Sequence, residues 1–262
     1  MADHTLAIDY TWLRREIARS VGYRRDPEEF TEDEAQDVDD IIASGCRQAY
    51  WPHIPGQQLA HKWSFLRPYR EFTLTSDLDD IDLPDDFGAF EGDMTYSKND
   101  NSWYKVEQVS PQHILWLREN NQQQTTGYPR KFAVAPRKTD GSASQRHYFM
   151  VWPTPDATYN MKAPVRIIPQ MLSEHRPFPY GGPEIGELIL ASCLAVAELK
   201  LNGEKGVMSA DFQEKLMAAV AVDAQKTRGV KVGYNGNGNR FNARYVYDNH
   251  IVTYDGQEYT GP

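Results

Sequence analysis

The sequence predicts an α+β protein: a helical bundle built from N- and C-terminal segments, with an inserted, mainly antiparallel β domain and an extended C-terminal arm. Three observations support this fold class. Apolar residues recur every three or four positions near both ends, segments of strand composition fill the middle, and the last stretch is rich in glycine and aromatic residues. The predicted boundaries are 1–66 and 172–229 for the bundle, 67–171 for the β domain, and 230–262 for the arm.

Two amphipathic helices are predicted near the N-terminus. The helix over residues 6–21 has a single apolar stripe, which consists of Leu6, Tyr10, Leu13, Ile17 and Val21. The helix over residues 32–49 begins with a capping box, because Thr31 is followed three positions later by Glu34. Nine acidic residues stand between positions 26 and 40, and we interpret them as a solvated face.

Short strands are predicted along the inserted domain. They cover Tyr69–Thr75, Gly92–Tyr96, Trp103–Val109, Arg130–Pro136, His147–Trp152 and Ala157–Ile168. Asp140 and Gly141 favour a tight turn, so the strands on either side of them should form a hairpin. Ser110 and Pro111 are typical of a helix start and predict one short helix in this domain. A loop with eight acidic residues between positions 77 and 93 is expected to be solvated.

Two further helices are predicted in the last third of the chain. The helix over residues 184–200 has apolar residues on nearly every side, which predicts that it is central and buried. The helix over residues 210–227 has a narrower apolar stripe, and Ser209 is its expected cap. Both helices should pack with the two N-terminal ones, because each of the four needs cover for its apolar side chains.

The arm over residues 230–262 contains too little aliphatic side chain to form a core, but it is too aromatic for a plain linker. Its aromatic side chains are expected to leave water when the arm docks on another surface, with interleaved arginines meeting carboxylates or carbonyls. The predicted docking residues are Tyr234, Arg240, Phe241, Arg244, Tyr245 and Tyr247.

The composition argues against several classes of protein. With 28 basic and 37 acidic residues the net charge is −9, which disfavours tight nucleic-acid binding because affinity for phosphates comes from Lys and Arg. No apolar run approaches the roughly 20 residues of a membrane helix, and no signal peptide is expected. Cys46 and Cys193 are expected to be small buried residues in a reducing compartment. No histidine or cysteine pair has metal-ligand spacing, so neither metal nor cofactor is expected.

Two sets of carboxylates leave an enzyme open as an alternative. Glu187 and Glu198 fall on one face of the helix over residues 184–200, and Asp85 and Asp86 are adjacent in the acidic loop. Paired carboxylates are what glycoside hydrolysis requires, although acidic residues on a helix more often meet solvent or a neighbouring element. From the residues alone, the chain is interpreted as an interaction protein without a catalytic constellation.

Several motifs occur in a characteristic order along the chain. They are Thr31–Pro52, His61–Pro68, Leu83–Phe87, Tyr128–Val134, Val151–Asp156 and Gly181–Glu198. With this order, the chain from about residue 10 to 228 resembles the adaptor proteins, also called head-completion or gatekeeper proteins, that tailed phages place beneath the portal. It is also similar to the larger, two-part variety called tail tubular protein A in short-tailed phages.

This resemblance implies a virion structural protein without catalytic residues. Copies of such a protein form a ring, usually of twelve, in the neck between head and tail after assembly in the host cytoplasm. Its expected partners are the portal protein, neighbouring copies of itself and the next tail or neck protein; DNA would pass through the ring without sequence-specific binding, and no membrane is involved. The arm would dock on the portal, or else on an adjacent copy. A carbohydrate-active tail enzyme and a stand-alone binding protein are the alternatives.

Overall fold

The computed structural model describes residues 6–54, 60–97, 105–120, 126–139, 141, 144–227, 251–254 and 257–260. The chain divides into two compact units, Met1–Thr227 and Arg228–Pro262, which are described separately. The first unit combines α-helices with a large β-sheet, which confirms the predicted α+β class. Among the described residues, no helix combines the length and the apolar character that crossing a membrane demands.

The helices of the first unit come from both ends of the chain and from its middle. They are α1 (Tyr10–Val21), α2 (Glu32–Tyr50), α3 (Pro111–Asn120), α4 (Pro183–Asn202) and α5 (Val207–Thr227), with short 3-10 turns at Pro27–Glu29 and Ser64–Leu66. Helix α4 packs against α1, α2 and α5, and α1 also packs against α2. The two N-terminal helices therefore contact a helix that follows them by more than a hundred residues.

The apolar stripe predicted a helix that starts at Leu6, but helix α1 begins at Tyr10. The cause is a local cap, because the side chain of Asp9 accepts a hydrogen bond from the backbone N–H of Trp12. Leu6 lies outside the helix and is 73% exposed. The helix ends at Gly22, whose φ of 89° is a left-handed conformation that glycine adopts without a steric penalty.

Helix α2 starts as predicted. The Thr31 side chain accepts a hydrogen bond from the Glu34 backbone N–H, and the Glu34 carboxylate accepts one from the Thr31 backbone N–H, so the capping box is confirmed. The apolar face of α2 is buried and consists of Val38, Ile41, Ile42, Ala43, Gly45, Cys46, Ala49 and Tyr50. Glu32, Asp33 and Asp40 remain exposed on the opposite face.

Helix α4 is the central helix of this group, as its composition predicted. Its buried residues reach from Ile185 to Ala197, and they include the polar side chain of Ser192. The Ser192 hydroxyl donates a hydrogen bond of 2.8 Å to the backbone carbonyl oxygen of Gly45, which joins α4 to α2. Contact with α1, α2 and α5 explains why α4 lacks a continuous polar face.

Eight strands of the first unit, counted over its described ranges, form one sheet. They are β1 (Tyr69–Leu74), β2 (Asp80–Asp82), β3 (Phe87–Phe90), β4 (Met94–Tyr96), β5 (Lys105–Gln108), β6 (Lys131–Pro136), β7 (His147–Trp152) and β8 (Tyr159–Ile167). The strand order is β1-β8-β4-β5-β6-β7-β2, with β3 also paired to β8. The β6–β7 pair is antiparallel, as the predicted hairpin requires. Strands β5 and β6 are parallel, and the chain between them contains α3.

Strand β8 is paired along both of its edges. Strand β1 lies on one side, where Phe72 faces Met161, and β4 lies on the other, where Tyr96 faces the same residue. Strand β3 continues the second edge towards Ile167. Buried and more exposed residues alternate along β8, so one face of the strand points into the core.

Strands β2 and β3 correct the expectation of one solvated acidic loop between positions 77 and 93. Asp80–Asp82 pair with β7, and Phe87–Phe90 pair with β8. Aspartate is rare in strands, so the composition of Asp80–Asp82 did not predict β2. Asp80–Asp82 form a strand nonetheless, because they pair with Tyr148, Phe149 and Met150 of β7.

One hydrophobic cluster connects the helices with the sheet. It extends from Leu13 of α1 through Trp63 of the connecting segment to Phe72 and Phe149 of the sheet. The indole N–H of Trp63 also donates a hydrogen bond of 3.0 Å to the backbone carbonyl oxygen of Ala49. The helices and the sheet of the first unit therefore share a core.

The second unit contains two described strands, β9 (Ile251–Tyr254) and β10 (Gln257–Thr260). They pair in antiparallel fashion, with Gln257 opposite Tyr254 and Thr260 opposite Ile251. This part of the predicted arm thus has a strand pair that the sequence analysis did not anticipate.

Candidate docking surface

A groove of about 410 Å³ lies between α4, α5 and the 3-10 turn at Ser64–Leu66. The apolar side chains that line it are Phe65, Ile185, Leu188, Ala218, Ala219 and Val222. It exists because α5 is largely covered on one side only: Phe212 and Leu216 are buried, whereas Ala218 and Val222 are exposed. An apolar groove with charged edges is suited to an amphipathic side chain or segment of a partner.

Two ion pairs cross the groove from α4 to α5. Glu184 pairs with Lys226, and Glu187 lies 3.8 Å from Lys215. The ammonium group of Lys215 is also 3.0 Å from the carboxylate of Asp211, which stands one turn earlier on α5. These exposed pairs add little stability, but they place charges of both signs beside the apolar lining.

A buried carboxylate, that of Asp223, also lines the groove. It accepts hydrogen bonds from the Ser64 backbone N–H, at 3.1 and 3.2 Å, and from the Ser64 hydroxyl at 2.5 Å. Nε2 of His61 lies 2.8 Å from the same carboxylate. The side chain of Asp223 is only 6% exposed, so these partners compensate for its loss of water.

His61, Asp223 and Ser64 do not form a nucleophile triad. In such a triad the imidazole lies between the hydroxyl and the carboxylate, whereas here the carboxylate of Asp223 lies between the other two groups. The arrangement fixes the last turns of α5 to the segment that leads into β1. The sequence analysis missed it because 159 positions separate Ser64 from Asp223.

The α4–α5 pair also exposes several large apolar side chains, most of them beside the turn between the two helices and not in the groove. They are Leu199, Leu201, Val207, Met208, Met217 and Val222, each at least 41% exposed. We call the groove together with these side chains the α4–α5 surface. Several large apolar side chains exposed on one helix pair are a feature that protein interfaces share.

Asp85 and Asp86 each pair with an arginine, Asp86 with Arg70 of β1 and Asp85 with Arg146 just before β7. Both oxygens of Asp86 accept hydrogen bonds from Arg70, at 2.7 and 2.6 Å, and Asp85 pairs with Arg146 at 3.2 Å. The hydrogen bonds from Arg70 hold the pKa of Asp86 below its ordinary value, although partial burial acts in the opposite direction. A carboxyl with a lowered pKa is a poor general acid, so the pairing with Arg70 does not favour that role for Asp86.

The aspartates at positions 79 to 82 also pair with arginines. Arg118 of α3 lies 3.0 Å from Asp80 and 3.5 Å from Asp79, and it donates hydrogen bonds to two backbone carbonyl oxygens. Arg137 pairs with Asp82. The aspartates between positions 79 and 86 thus each face an arginine, while Asp80, Asp82 and Asp85 remain exposed to solvent as predicted.

Glu198 caps the next helix instead of sharing a site with Glu187. Its carboxylate accepts hydrogen bonds from the backbone N–H groups of Gly206 at 2.9 Å, Met208 at 3.2 Å and Ser209 at 3.0 Å. Desolvation raises the pKa of Glu198, but these three donors outweigh it and leave the pKa below its ordinary value. The predicted cap at Ser209 is wrong, because α5 already begins at Val207.

The predicted docking residues of the arm lie outside the described residues. They are Tyr234, Arg240, Phe241, Arg244, Tyr245 and Tyr247. Within the described ranges, no group of three or more His, Cys, Asp or Glu side chains could hold a metal ion. No family model matches the chain, and a search of curated proteins finds no match.

Proposed function

We propose that this chain is a virion structural protein of a tailed phage, an adaptor whose copies form a ring, dodecameric in our proposal, between the portal and the tail. The α4–α5 surface is the observation that carries this proposal, because a ring subunit must present apolar faces to its neighbours. The order of sequence motifs that resembles the adaptor family supports the same role.

In this proposal the helices α1, α2, α4 and α5 are the bundle, and residues 67–171 are a domain inserted into it. Residues 230–262 are the docking arm. Its partner is the portal protein, with an adjacent copy as the second choice. The side chains from Tyr234 to Tyr247 enter apolar pockets there, and Arg240 and Arg244 meet carboxylates or carbonyl oxygens.

The net charge of −9 suits a ring through which DNA slides. An acidic lumen repels phosphate and so avoids a tight complex with the passing duplex. The protein therefore belongs in the neck of the particle, bound to the portal above and to a tail or neck protein below. In this proposal it is assembled into the particle in the host cytoplasm.

The contacts of the carboxylates support an adaptor over a carbohydrate-active tail enzyme. Asp85 and Asp86 are occupied by arginines, Glu198 by backbone N–H groups, and Glu187 by Lys215. Each carboxylate therefore has a structural partner that accounts for its position without a catalytic role. Amide substitutions at the four positions should alter stability or assembly, and loss of a hydrolytic activity in particles that still assemble normally would favour the enzyme.

Assembly on portal-containing heads tests the proposal. The purified full-length chain should be monomeric by light scattering and should form a ring, visible by electron microscopy, when mixed with the heads. A chain that ends at residue 229 should stay folded and soluble but fail to join the portal. Normal assembly by the truncated chain would contradict the role of the arm, and no association of the full chain would contradict the adaptor function.

A further inference from the structure

Helices α2 and α4 approach each other closely beside both cysteines. A Cβ atom placed on Gly45 would lie 2.5 Å from Sγ and 2.8 Å from Cα of Cys193, so only glycine permits this crossing. Cys46 is the next residue on α2, and both cysteines are buried and reduced. The sequence analysis treated the two cysteines separately, because nothing in their spacing brings them together.

The two thiols interact directly across this crossing. The Cys193 thiol has two acceptors within reach, the backbone carbonyl oxygen of Ile42 at 4.0 Å and the sulfur of Cys46. The hydrogen bond with Cys193 holds the pKa of the Cys46 thiol below its ordinary value, in spite of burial. The same hydrogen bond, together with burial, raises the pKa of Cys193 well above its ordinary value.

We propose that Cys46 and Cys193 are a redox latch, in which a small peroxide converts the two thiols into a disulfide that joins α2 to α4. This inference goes beyond the proposed function and does not depend on it. The crossing at Gly45 supports it, since backbones that approach so closely suit the short separation that a disulfide spans. The bond would also be an intramolecular one between helices that are about 150 positions apart in the chain.

The chemistry has two steps and needs one equivalent of hydrogen peroxide. The Cys46 thiolate attacks a peroxide oxygen, the O–O bond breaks, and Cys46 becomes a sulfenic acid as hydroxide takes up the thiol proton to form water. The Cys193 sulfur then attacks the Cys46 sulfur, and the sulfenic hydroxyl leaves with the Cys193 proton as a second water. The two thiols lose two electrons in total, and the peroxide gains them.

Cys46 is the residue that reacts first. Its thiol has the lower pKa of the two, and the thiolate is the reactive form. It is 6% exposed, whereas Cys193 is fully buried. A small oxidant is required, because neither sulfur offers room for a bulky disulfide reagent.

The experiment uses the full reduced chain, incubated with a modest excess of hydrogen peroxide and then quenched. We expect the thiols that titrate after denaturation to fall from two to none, and non-reducing peptide mapping to recover the Cys46 and Cys193 peptides joined to each other. The melting temperature should rise by roughly 5–10 °C, because the bond closes a long loop. Dithiothreitol should reverse both changes in the same sample.

Cys46→Ala and Cys193→Ala are the matched controls, and neither should gain melting temperature after peroxide. If a variant fails to fold, the reversal of the wild-type shift by dithiothreitol remains a complete test. Three results would overturn the latch: two thiols that still titrate after treatment, sulfinic acid at Cys46 in place of the joined peptides, or a bond between two chains.

Discussion

Asp223 near the end of α5 accepts hydrogen bonds from both the backbone N–H and the hydroxyl of Ser64, which stands 159 positions earlier in the chain. His61 contributes a third group to the same carboxylate. The exit of the chain from α5 is therefore fixed by a buried polar contact and not by apolar packing alone.

Replacing Asp223 with alanine should lower the free energy of unfolding by roughly 2 kcal/mol, because Ser64 and His61 would lose a buried acceptor. Chemical denaturation followed by circular dichroism measures the change. Glu214→Ala, on the exposed side of the same helix, is the control and should stay within about 0.5 kcal/mol of wild type. Equal losses in the two variants would contradict the importance of the buried contact.

The pair formed by Arg70 and Asp86 should make stability depend on pH. The pKa of Asp86 is below its ordinary value of 3.8 in the folded chain, so folding favours the ionised carboxylate. Its contribution is complete above pH 3.8 and is lost as the pH falls through the lowered value. Asp86→Asn should cost about 1–2 kcal/mol at pH 7.

Denaturation at a series of pH values checks this behaviour. The difference between wild type and Asp86→Asn should be constant from pH 7 to about 5 and should then narrow towards pH 2. Asp40→Asn, at an exposed position of α2, is the control and should change the free energy of unfolding by less than about 0.5 kcal/mol at pH 7. A gap between wild type and Asp86→Asn that stays constant down to pH 2 is incompatible with the lowered pKa.

Gly45→Ala should destabilise the protein although alanine is the better helix former. The new methyl group would meet the Cys193 backbone at 2.8 Å, so α2 and α4 must separate, at a cost of about 1–3 kcal/mol. Thermal unfolding of this variant and of Ser44→Ala, its neighbour on α2, provides the comparison. The argument for a close crossing fails if Gly45→Ala melts at or above the temperature of Ser44→Ala.

Glu198 should control the start of α5. Glu198→Ala removes every acceptor of the cap, whereas Glu198→Gln keeps one oxygen, so hydrogen exchange at Met208 and Ser209 should be fastest in the alanine variant and intermediate in the glutamine variant. Glu204→Ala, in the exposed turn between α4 and α5, is the control. Indistinguishable exchange rates in Glu198→Ala and Glu204→Ala would refute the cap.

If the chain has the adaptor role that we propose, single substitutions in the arm should weaken portal binding without affecting the fold. Anchoring aromatic and arginine residues are worth about 2 kcal/mol each at interfaces, so Phe241→Ala or Arg240→Ala should reduce affinity for the portal by roughly 30-fold. Asn239→Ala is a nearby control and should change affinity little. Binding assays with purified portal rings distinguish these cases, and unchanged affinity in both test variants would exclude these anchors.

Short sequence motifs correctly predicted those structural features in which the interacting residues are close together in the sequence. The box formed by Thr31 and Glu34 is such a case, because donor and acceptor belong to one turn. The cap of α5 was wrong for the opposite reason: its acceptor, Glu198, belongs to the preceding helix. Strand β2 was missed because its pairing partner, β7, lies more than sixty positions later in the chain. The arginines that pair with its aspartates are also distant, in α3 and just after β6.

The candidate surface was partly visible in the sequence. The all-round apolar character of residues 184–200 predicted a buried α4, and burial of Ile189 and Cys193 confirms it. The groove beside it could not be predicted, since its shape depends on Phe65 and Val222 meeting from distant parts of the chain. Hydrophobic periodicity identifies which face of a helix is apolar. It does not show which other elements pack on that face, or which part of the face stays exposed.

The central position of α4 has a consequence for the nascent chain. The ribosome completes α1 and α2 long before it reaches Pro183, where α4 begins. At usual synthesis speeds this interval is on the order of 10 s, and during it the stripe that contains Val38 and Ile41 has no α4 to cover it. Folding of the helices must therefore wait for the last third of the message to be translated, and the emerging N-terminal part is a natural substrate for chaperones that shield apolar helices.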